Sequence, residues 1–131
     1  MARTGATYGK TMLVDTDDPA VYASFLIRIR FKESQMLPAY YWHYAQSSEY
    51  WDQAKSLVSA AGQPQFNANA LKRVRVPMPS PDEQRHAIEV LDKFDALVND
   101  LSVGLPAELA ARRKQYEYYR DKLLTFEEAP A

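Results

Sequence analysis

The sequence predicts an α+β fold in which a small mixed domain precedes a long coiled-coil helix. Three patterns predict it: apolar residues alternate with polar ones over 24–32, recur every three or four positions over 38–62, and follow a sustained three-four repeat over 88–126. Prolines at every second position separate the two parts, because each one fixes φ and disfavours helix at the residue before it. We therefore divide the chain into a domain over 1–76, a connector over 77–81, a helix over 82–126 and a tail over 127–131.

Short strands and an aromatic helix make up the first part. A strand over 24–32 would bury one face. Its apolar side chains are Phe25, Ile27, Ile29 and Phe31. Val74 and Val76 alternate with arginines and predict a shorter second strand. Between the strands, Pro38 suits a first helical turn and Gly62 suits a helix stop, so this stretch predicts one helix or two abutting ones.

The second part begins at a well-marked helix start. Ser80 suits an N-cap, Pro81 suits the first turn, and Glu83 stands at the capping-box position. Gly104 is a helix stop and Pro106 a helix start, yet the apolar repeat continues across them without a change of phase. We therefore expect two collinear helical halves, kinked or broken at Gly104–Pro106, with a tight hairpin as the less favoured alternative. If wholly helical, this part would span about 67 Å.

Composition and charge exclude several classes of protein. The 131 residues are 47% hydrophobic and 25% charged, as in ordinary globular domains, and the lack of cysteine excludes thiol chemistry and disulfides. No apolar stretch reaches membrane-spanning length, so we expect a soluble, cytoplasmic protein. The net charge of −1 argues against a chain that binds nucleic acid through its overall charge. However, residues 1–81 carry nine Lys and Arg against six Asp and Glu, which leaves a local basic patch possible.

Groups that could carry catalysis form no recognisable pattern. The run from Gly5 to Thr11 ends like a phosphate-binding loop, but three residues separate its glycines where four are needed. Gly5 and Gly9 instead suit tight turns flanking a strand, or a close approach of backbone to a nucleic-acid phosphate. His43 and His86 lack metal-ligand spacing, and a partly buried or capping role is favoured for them. We therefore expect no enzyme and no metal site.

Basic and amide side chains are what remain in the first part. Arginine and lysine suit phosphates and guanine edges, while glutamine and asparagine suit adenine edges. The residues are Arg3, Lys10, Arg28, Arg30, Lys72, Arg73 and Arg75, with Gln63, Gln65, Asn67 and Asn69 in one loop. Composition alone favours a solvated sheet face beside a polar loop over a nucleic-acid surface.

Several runs in the second part carry a family resemblance. They are Val76-Pro77-Met78-Pro79, Glu83-Gln84, Leu91 to Leu101, Gly104-Leu105-Pro106 and Lys114-Gln115-Tyr116-Glu117-Tyr118-Tyr119-Arg120. Together they resemble the specificity subunit of type I restriction-modification systems, in which a proline-rich exit, a Glu-Gln pair and a long helix follow a target recognition domain. Ala2 to Lys10 is similar to a glycine-containing segment of that domain, and Gly62 to Leu71 to the Gln/Asn loop before its exit strand.

The resemblance implies a non-catalytic role and a fold of partial target recognition domain plus spacer helix. The recognition domain would read one half of a bipartite double-stranded DNA site. The helix would set the distance to the other half and dock methyltransferase subunits, with only indirect contact to the restriction subunit. Chemistry with S-adenosylmethionine and ATP would belong to other chains, so we expect no cofactor here.

Two groups of residues are the candidates for these roles. The DNA-contact candidates are Arg3, Thr7, Tyr8, Lys10, Gln65, Asn67, Asn69 and Lys72. Among these the cations suit phosphates, and the amides are the expected base readers. The partner-contact candidates are Leu91, Val98, Leu105, Tyr116, Tyr118, Tyr119 and Arg120. Because a single helix cannot bury such an apolar stripe, we also expect a homodimer through the helices.

The chain departs from the family in its extent. Complete subunits carry two recognition domains and two spacers, whereas this chain resembles the later part of one domain and one spacer. It would be a fragment, a truncated product or a half-subunit that works as a dimer. Two hypotheses stay open: a DNA-specificity component, or a helical assembly or regulatory module that does not read DNA.

Overall fold

The structure, a computed structural model, describes residues 1–16, 18–58, 64–100 and 106–125. These residues contain five α-helices and a 3₁₀ turn at Gly5–Thr7. The helices are α1 (Pro38–Tyr44), α2 (Ser48–Leu57), α3 (Ala68–Leu71), α4 (Pro81–Asp100) and α5 (Pro106–Leu124). None of them is long and apolar enough to cross a membrane. Helix therefore dominates the described part of the chain, and the β component of the predicted fold is slight.

Three extended segments pair around the N-terminus. The Met1 amino group and the Ile27 backbone exchange two hydrogen bonds, with N···O distances of 2.9 and 2.8 Å. On the other side, the Phe66 amide donates to the Arg3 carbonyl at 2.8 Å. The segments lie in the order 25–27, 1–5 and 64–66. Isolated antiparallel bridges join them, and the regular strand predicted over 24–32 is wrong: Ser24 and Phe25 lie in a turn, and Leu26 alone of these residues forms a bridge.

The second predicted strand, at Val74 and Val76, is wrong. The side-chain amide of Gln53 takes the place of a neighbouring strand: its Oε1 accepts from the Arg75 amide at 2.8 Å, and its Nε2 donates to the Arg75 carbonyl at 2.9 Å. The Tyr44 hydroxyl donates to the same carbonyl at 2.8 Å. The backbone groups of Arg75 are thus satisfied by side chains, and the segment needs no strand partner.

Tight turns at Gly5 and Gly9 are confirmed, although a 3₁₀ turn and not a strand lies between them. Both have positive φ, 73° and 78°, which other residues rarely adopt. A Cβ on Gly9 would lie 3.2 Å from the Trp51 ring, and the Gly9 carbonyl accepts from the Tyr50 hydroxyl at 2.8 Å. The segment 2–10 therefore packs closely against α2.

The aromatic stretch forms two abutting helices, which confirms the second of the two predicted alternatives. Pro38 opens α1, and the Ser47 side chain caps α2 by accepting from the Tyr50 amide at 3.3 Å. The predicted stop, Gly62, lies outside the described residues. Side chains from both helices form the centre of the core. Fully buried there are Tyr40, Tyr44 and Tyr50, joined by Phe66.

The predicted capping box at the start of α4 is confirmed. The Ser80 amide and hydroxyl donate to Glu83 Oε2 at 2.8 and 2.7 Å, and the Glu83 amide lies 3.4 Å from Ser80 Oγ. These bonds favour the charged carboxylate, and they hold the pKa of Glu83 below its ordinary value.

The lowered pKa of Glu83 gives stability a defined dependence on pH. A carboxyl group with a lower pKa in the folded state stabilises the fold above its unfolded pKa, and that contribution disappears as pH falls through the folded pKa. We expect the wild type to be more stable than Glu83→Gln at neutral pH and the difference to shrink on acidification. Urea unfolding at several pH values measures it. Glu89→Gln, at an exposed position of the same helix, should show a smaller difference that varies less with pH.

The second half of the chain is a helical hairpin, and the expectation of two collinear halves is wrong. The Phe94 ring lies 5.7 Å from the Tyr119 ring and 6.4 Å from the Tyr116 ring. In one continuous helix, Phe94 and Tyr116 would be about 33 Å apart. The hairpin, the less favoured alternative, is therefore the observed arrangement. Gly104 and Leu105 lie outside the described residues.

Folding back gives each helix an apolar partner within the same chain. Leu91 is fully buried, Tyr116 is 9% exposed and Leu124 is 1% exposed. The apolar stripe of the second part, which was expected to pair with a second chain, is thus partly covered by α5 and by α1. The hairpin is also shorter than the predicted spacer, because α4 alone spans about 30 Å.

Candidate nucleic-acid interface

Antiparallel pairing brings together the two segments that the sequence analysis assigned to DNA. Thr4 and Gln65 form a bridge, and the Gly5 amide donates to the Pro64 carbonyl at 3.2 Å. The N-terminal segment, 2–10, therefore lies directly beside the amide-rich segment, 64–72. Burial lowers the pKa of the Met1 amino group, whose hydrogen bond to Ile27 fixes the start of this arrangement.

Most of the DNA-contact candidates are accessible on this surface. The exposed ones are Thr7, Lys10, Gln65, Asn67, Asn69 and Lys72. In the described part of the chain, neither Lys10 nor Lys72 takes part in an ion pair. Both ammonium groups are thus available for phosphates, which suits positioning on a nucleic-acid backbone.

Arg3 and Tyr8 are held by contacts within the protein. Arg3 is half-buried, its Nη1 donates to the Ser24 carbonyl at 3.4 Å, and its Nε is shielded from solvent. The Tyr8 ring packs edge-on against Trp51 at 6.1 Å and lies 6.5 Å from Phe66. We infer that these two side chains mainly hold the segment 2–10 on the core.

Asn67 has a structural task that the sequence analysis missed. It is the N-cap of α3, and its Oδ1 accepts from the Asn69 and Ala70 amides, each at 3.0 Å. An asparagine or glutamine that pairs with both the donor and the acceptor of an adenine edge uses the oxygen and the nitrogen of its own amide together. Because the cap occupies the Asn67 oxygen, this side chain does not present a free amide to a base.

The chain matches the sequence profile of the type I restriction modification DNA specificity domain over residues 2–111. It belongs to this family. The resemblance found in the sequence is confirmed, and membership of a DNA specificity family agrees with the expectation of a non-enzymatic chain.

Three relatives show how much of a specificity subunit the chain represents. A type I restriction enzyme specificity subunit from Escherichia coli is 52% identical over 61 residues, covering 47% of this chain and 15% of the relative. A protein of Haemophilus influenzae, named in the same class, is 32% identical over 120 residues, covering 92% of this chain and 30% of the relative. A specificity subunit from Mycoplasma pneumoniae is 29% identical over 72 residues, covering 55% and 22%. The matched part is thus less than a third of each relative. No solved structure gives a significant match.

In this specificity domain, a buried glutamine ties the helical hairpin to the first part. Gln84 is fully buried, and its Oε1 accepts from the Leu37 amide at 2.8 Å. Its Nε2 donates to the Gln35 and Pro79 carbonyls at 2.8 and 2.9 Å. One side chain therefore satisfies three backbone groups around the start of α1 and the end of the connector.

Sequence reasoning missed the role of Gln84, although a signal was present. Gln84, Ile88 and Leu91 are spaced four and three residues apart and share the inner face of α4. A polar residue in a buried helical stripe predicts a side chain with specific partners. Glu83, its neighbour, is exposed and belongs to the capping box.

A second polar contact joins the same two parts. His43 on α1 is fully buried, and its Nε2 lies 2.8 Å from Asp92 Oδ1 on α4. The side chain of Asp92 stays 60% exposed. His43 is therefore a buried, paired side chain, as favoured from the sequence, whereas His86 is exposed.

The partner-contact candidates divide between core and surface. Tyr118 is 61% and Tyr119 38% exposed, while Val98 is half-buried. The Arg120 side chain is only 13% exposed and lies over the Tyr116 ring at 5.6 Å. Of the described candidates, Tyr118 is the most exposed to a partner.

Proposed function

We propose that the chain is a non-catalytic DNA sequence-specificity component of a type I restriction-modification complex and reads one half of a bipartite DNA site. The observation that carries this is the family match over 2–111, which includes both segments of the candidate nucleic-acid interface. Exposed amides beside exposed cations suit base reading combined with phosphate contacts. The duplex DNA is thus the primary partner of the first part.

The helical hairpin would dock methyltransferase subunits. Its inner face is buried against the rest of the chain, so a partner would use an outer face of the hairpin, and we place the contact on α5. Tyr118 lies on the outer face of α5, and the Lys122 ammonium lies 5.9 Å from the centre of its ring. Tyrosine is enriched at interface hot spots because it supplies a large, amphipathic contact area.

An assembly or regulatory module that does not read DNA is the second candidate. It is favoured by the contacts within the protein that hold Arg3 and Tyr8 and occupy the Asn67 oxygen, because these three DNA-contact candidates already have structural tasks. Such a module would dock methyltransferase subunits without sequence preference for DNA. A homodimer through the helices stays a prediction, but it needs a surface other than the buried Leu91 stripe.

Variants of the candidate interface separate phosphate contact from base reading. We expect Lys72→Ala to weaken binding on every duplex and to reduce the salt dependence by about one unit of slope. Gln65→Ala should relax preference at one base pair, by roughly 1 to 3 kcal/mol. Fluorescence anisotropy with preferred and scrambled duplexes measures both effects. Equal losses on both duplexes for the two variants would contradict the base-reading role of Gln65.

A substitution on α5 tests docking to the methyltransferase subunit. We expect Tyr118→Ala to reduce co-purification with that subunit while the helix content stays unchanged, because the ring is largely exposed. Tyr22→Ala is the matched control, since Tyr22 is 58% exposed on the first part of the chain. Unchanged co-purification of Tyr118→Ala would reject this docking surface.

A further inference from the structure

A row of three cations lies on the extended segment after Ile27. Arg28, Arg30 and Lys32 are exposed, while Ile29 and Phe31 between them are half-buried and pack against the core. This alternation places the three cations on one face of the segment. Two residues of extended chain span about 7 Å, so the side chains leave the backbone at roughly that interval.

The register of the paired segments places this row on the same face as Gln65. Residues directly opposite each other in an antiparallel pair share a face, and Ala2 lies opposite Leu26 as Thr4 lies opposite Gln65. Arg28 and Arg30 follow Leu26 at steps of two and continue that face. The other face turns inward at Ile29 and Phe31, which are half-buried, and at Phe66, which is fully buried, whereas Phe25 at the start of the segment stays 56% exposed. The cations and Gln65 therefore form one outward face.

Within the described residues, no ion pair neutralises the row. Three like charges in such a row repel one another, and a mixed solvated surface would intersperse acids among them. The neighbouring acid in sequence is Glu33, which lies beyond the end of the row. This arrangement suits an extended polyanion with regularly spaced negative charges.

We propose that Arg28, Arg30 and Lys32 contact successive phosphates of one DNA strand and so fix the position of Gln65 over the bases. A nucleic-acid strand carries its phosphates at regular intervals along the backbone, which a regularly spaced row of cations complements. The proposal rests on the proposed function and adds three contacts that the family resemblance does not assign.

The test compares two triple variants of the full chain with equal charge. The row variant carries Arg28→Gln, Arg30→Gln and Lys32→Gln. The control carries Lys93→Gln, Arg113→Gln and Lys114→Gln, which are exposed residues of the hairpin outside the ion pairs. Affinity for a preferred and a random duplex is measured by anisotropy at several salt concentrations. Thermal unfolding checks that both variants keep the fold.

Each phosphate contact contributes about 0.9 unit to the slope of log affinity against log salt concentration. We expect the row variant to lose two to three units of slope on both duplexes and the control to lose less than about half a unit. Equal slopes for the row variant and the wild type, or equal losses in both variants, would overturn the proposal. If the wild type binds DNA without sequence preference, the proposed function is contradicted but the slopes still test the row. If the wild type binds neither duplex, the proposed function and the proposed phosphate contacts are both contradicted.

Discussion

Gln84→Leu is expected to lower the free energy of unfolding by about 3 to 5 kcal/mol, a large part of what a domain of this size has. Leucine fills a similar volume but leaves the Leu37 amide and the carbonyls of Gln35 and Pro79 without their partner. A backbone group that loses its hydrogen bond costs about 1 to 3 kcal/mol where water cannot replace the partner, and the burial of the side chain at position 84 keeps water out here. Urea unfolding followed by circular dichroism measures the loss.

Two further variants separate hydrogen bonding from bulk at this position. Gln115→Leu, at an exposed site on α5, should leave stability within about 0.5 kcal/mol of the wild type. Gln84→Glu should be strongly destabilised at neutral pH, because a carboxylate cannot donate to two carbonyls. Protonation restores one donor, so this variant should regain stability as pH falls. A Gln84→Leu chain as stable as the wild type would show that the three hydrogen bonds do not hold the two parts together.

Leu91→Asp is expected to destabilise the monomer by at least about 4 kcal/mol, because it places a carboxylate without a partner in the core. Leu91 lies on α4 and is fully buried against other residues of the same chain. Leu97→Asp is the matched control, since Leu97 lies on the same helix and is 56% exposed.

Unfolding and sedimentation equilibrium together distinguish the hairpin from a helix that pairs with a second chain. For the hairpin, Leu91→Asp lowers the unfolding midpoint at every protein concentration, and Leu97→Asp changes it little. If Leu91→Asp left a well-folded monomer and removed only a dimer, the hairpin packing would be wrong.

Local signals predicted the starts of α1 and α4 correctly. Ser80 and Glu83 set the start of α4 through bonds between residues three apart, and Pro38 sets the start of α1 through its own ring. Such features depend on neighbours in sequence and on little else. The cap at Asn67 is equally local, and its position just before Ala68–Leu71 offered the same kind of signal.

The partner of the apolar stripe could not be predicted from its period. Spacing shows which face of a helix is buried, but a face covered by a second copy and one covered by α5 have the same pattern. Phe94 meets Tyr119 only because α5 packs back against α4. That choice depends on tertiary contacts and not on helix propensity.

The sequence proposes residues for the candidate site but not their arrangement. Exposed cations and amides in segments 2–10 and 64–72 were visible in the sequence, whereas their pairing depends on a bridge between Thr4 and Gln65. The row at Arg28 and Arg30 was visible only as an alternating pattern, which a solvated strand also has. The register of the three segments is what relates that row to Gln65.

The most direct test of DNA specificity is selection from a random pool of duplexes by the wild-type chain together with its methyltransferase subunits. Repeated rounds of capture and sequencing would show whether one short sequence is enriched. DNA reading by the candidate interface predicts enrichment of a defined half-site, and loss of that enrichment at one position in Gln65→Ala. A pool that stays random while the chain and the methyltransferase subunits assemble would contradict DNA reading and leave the assembly role in its place.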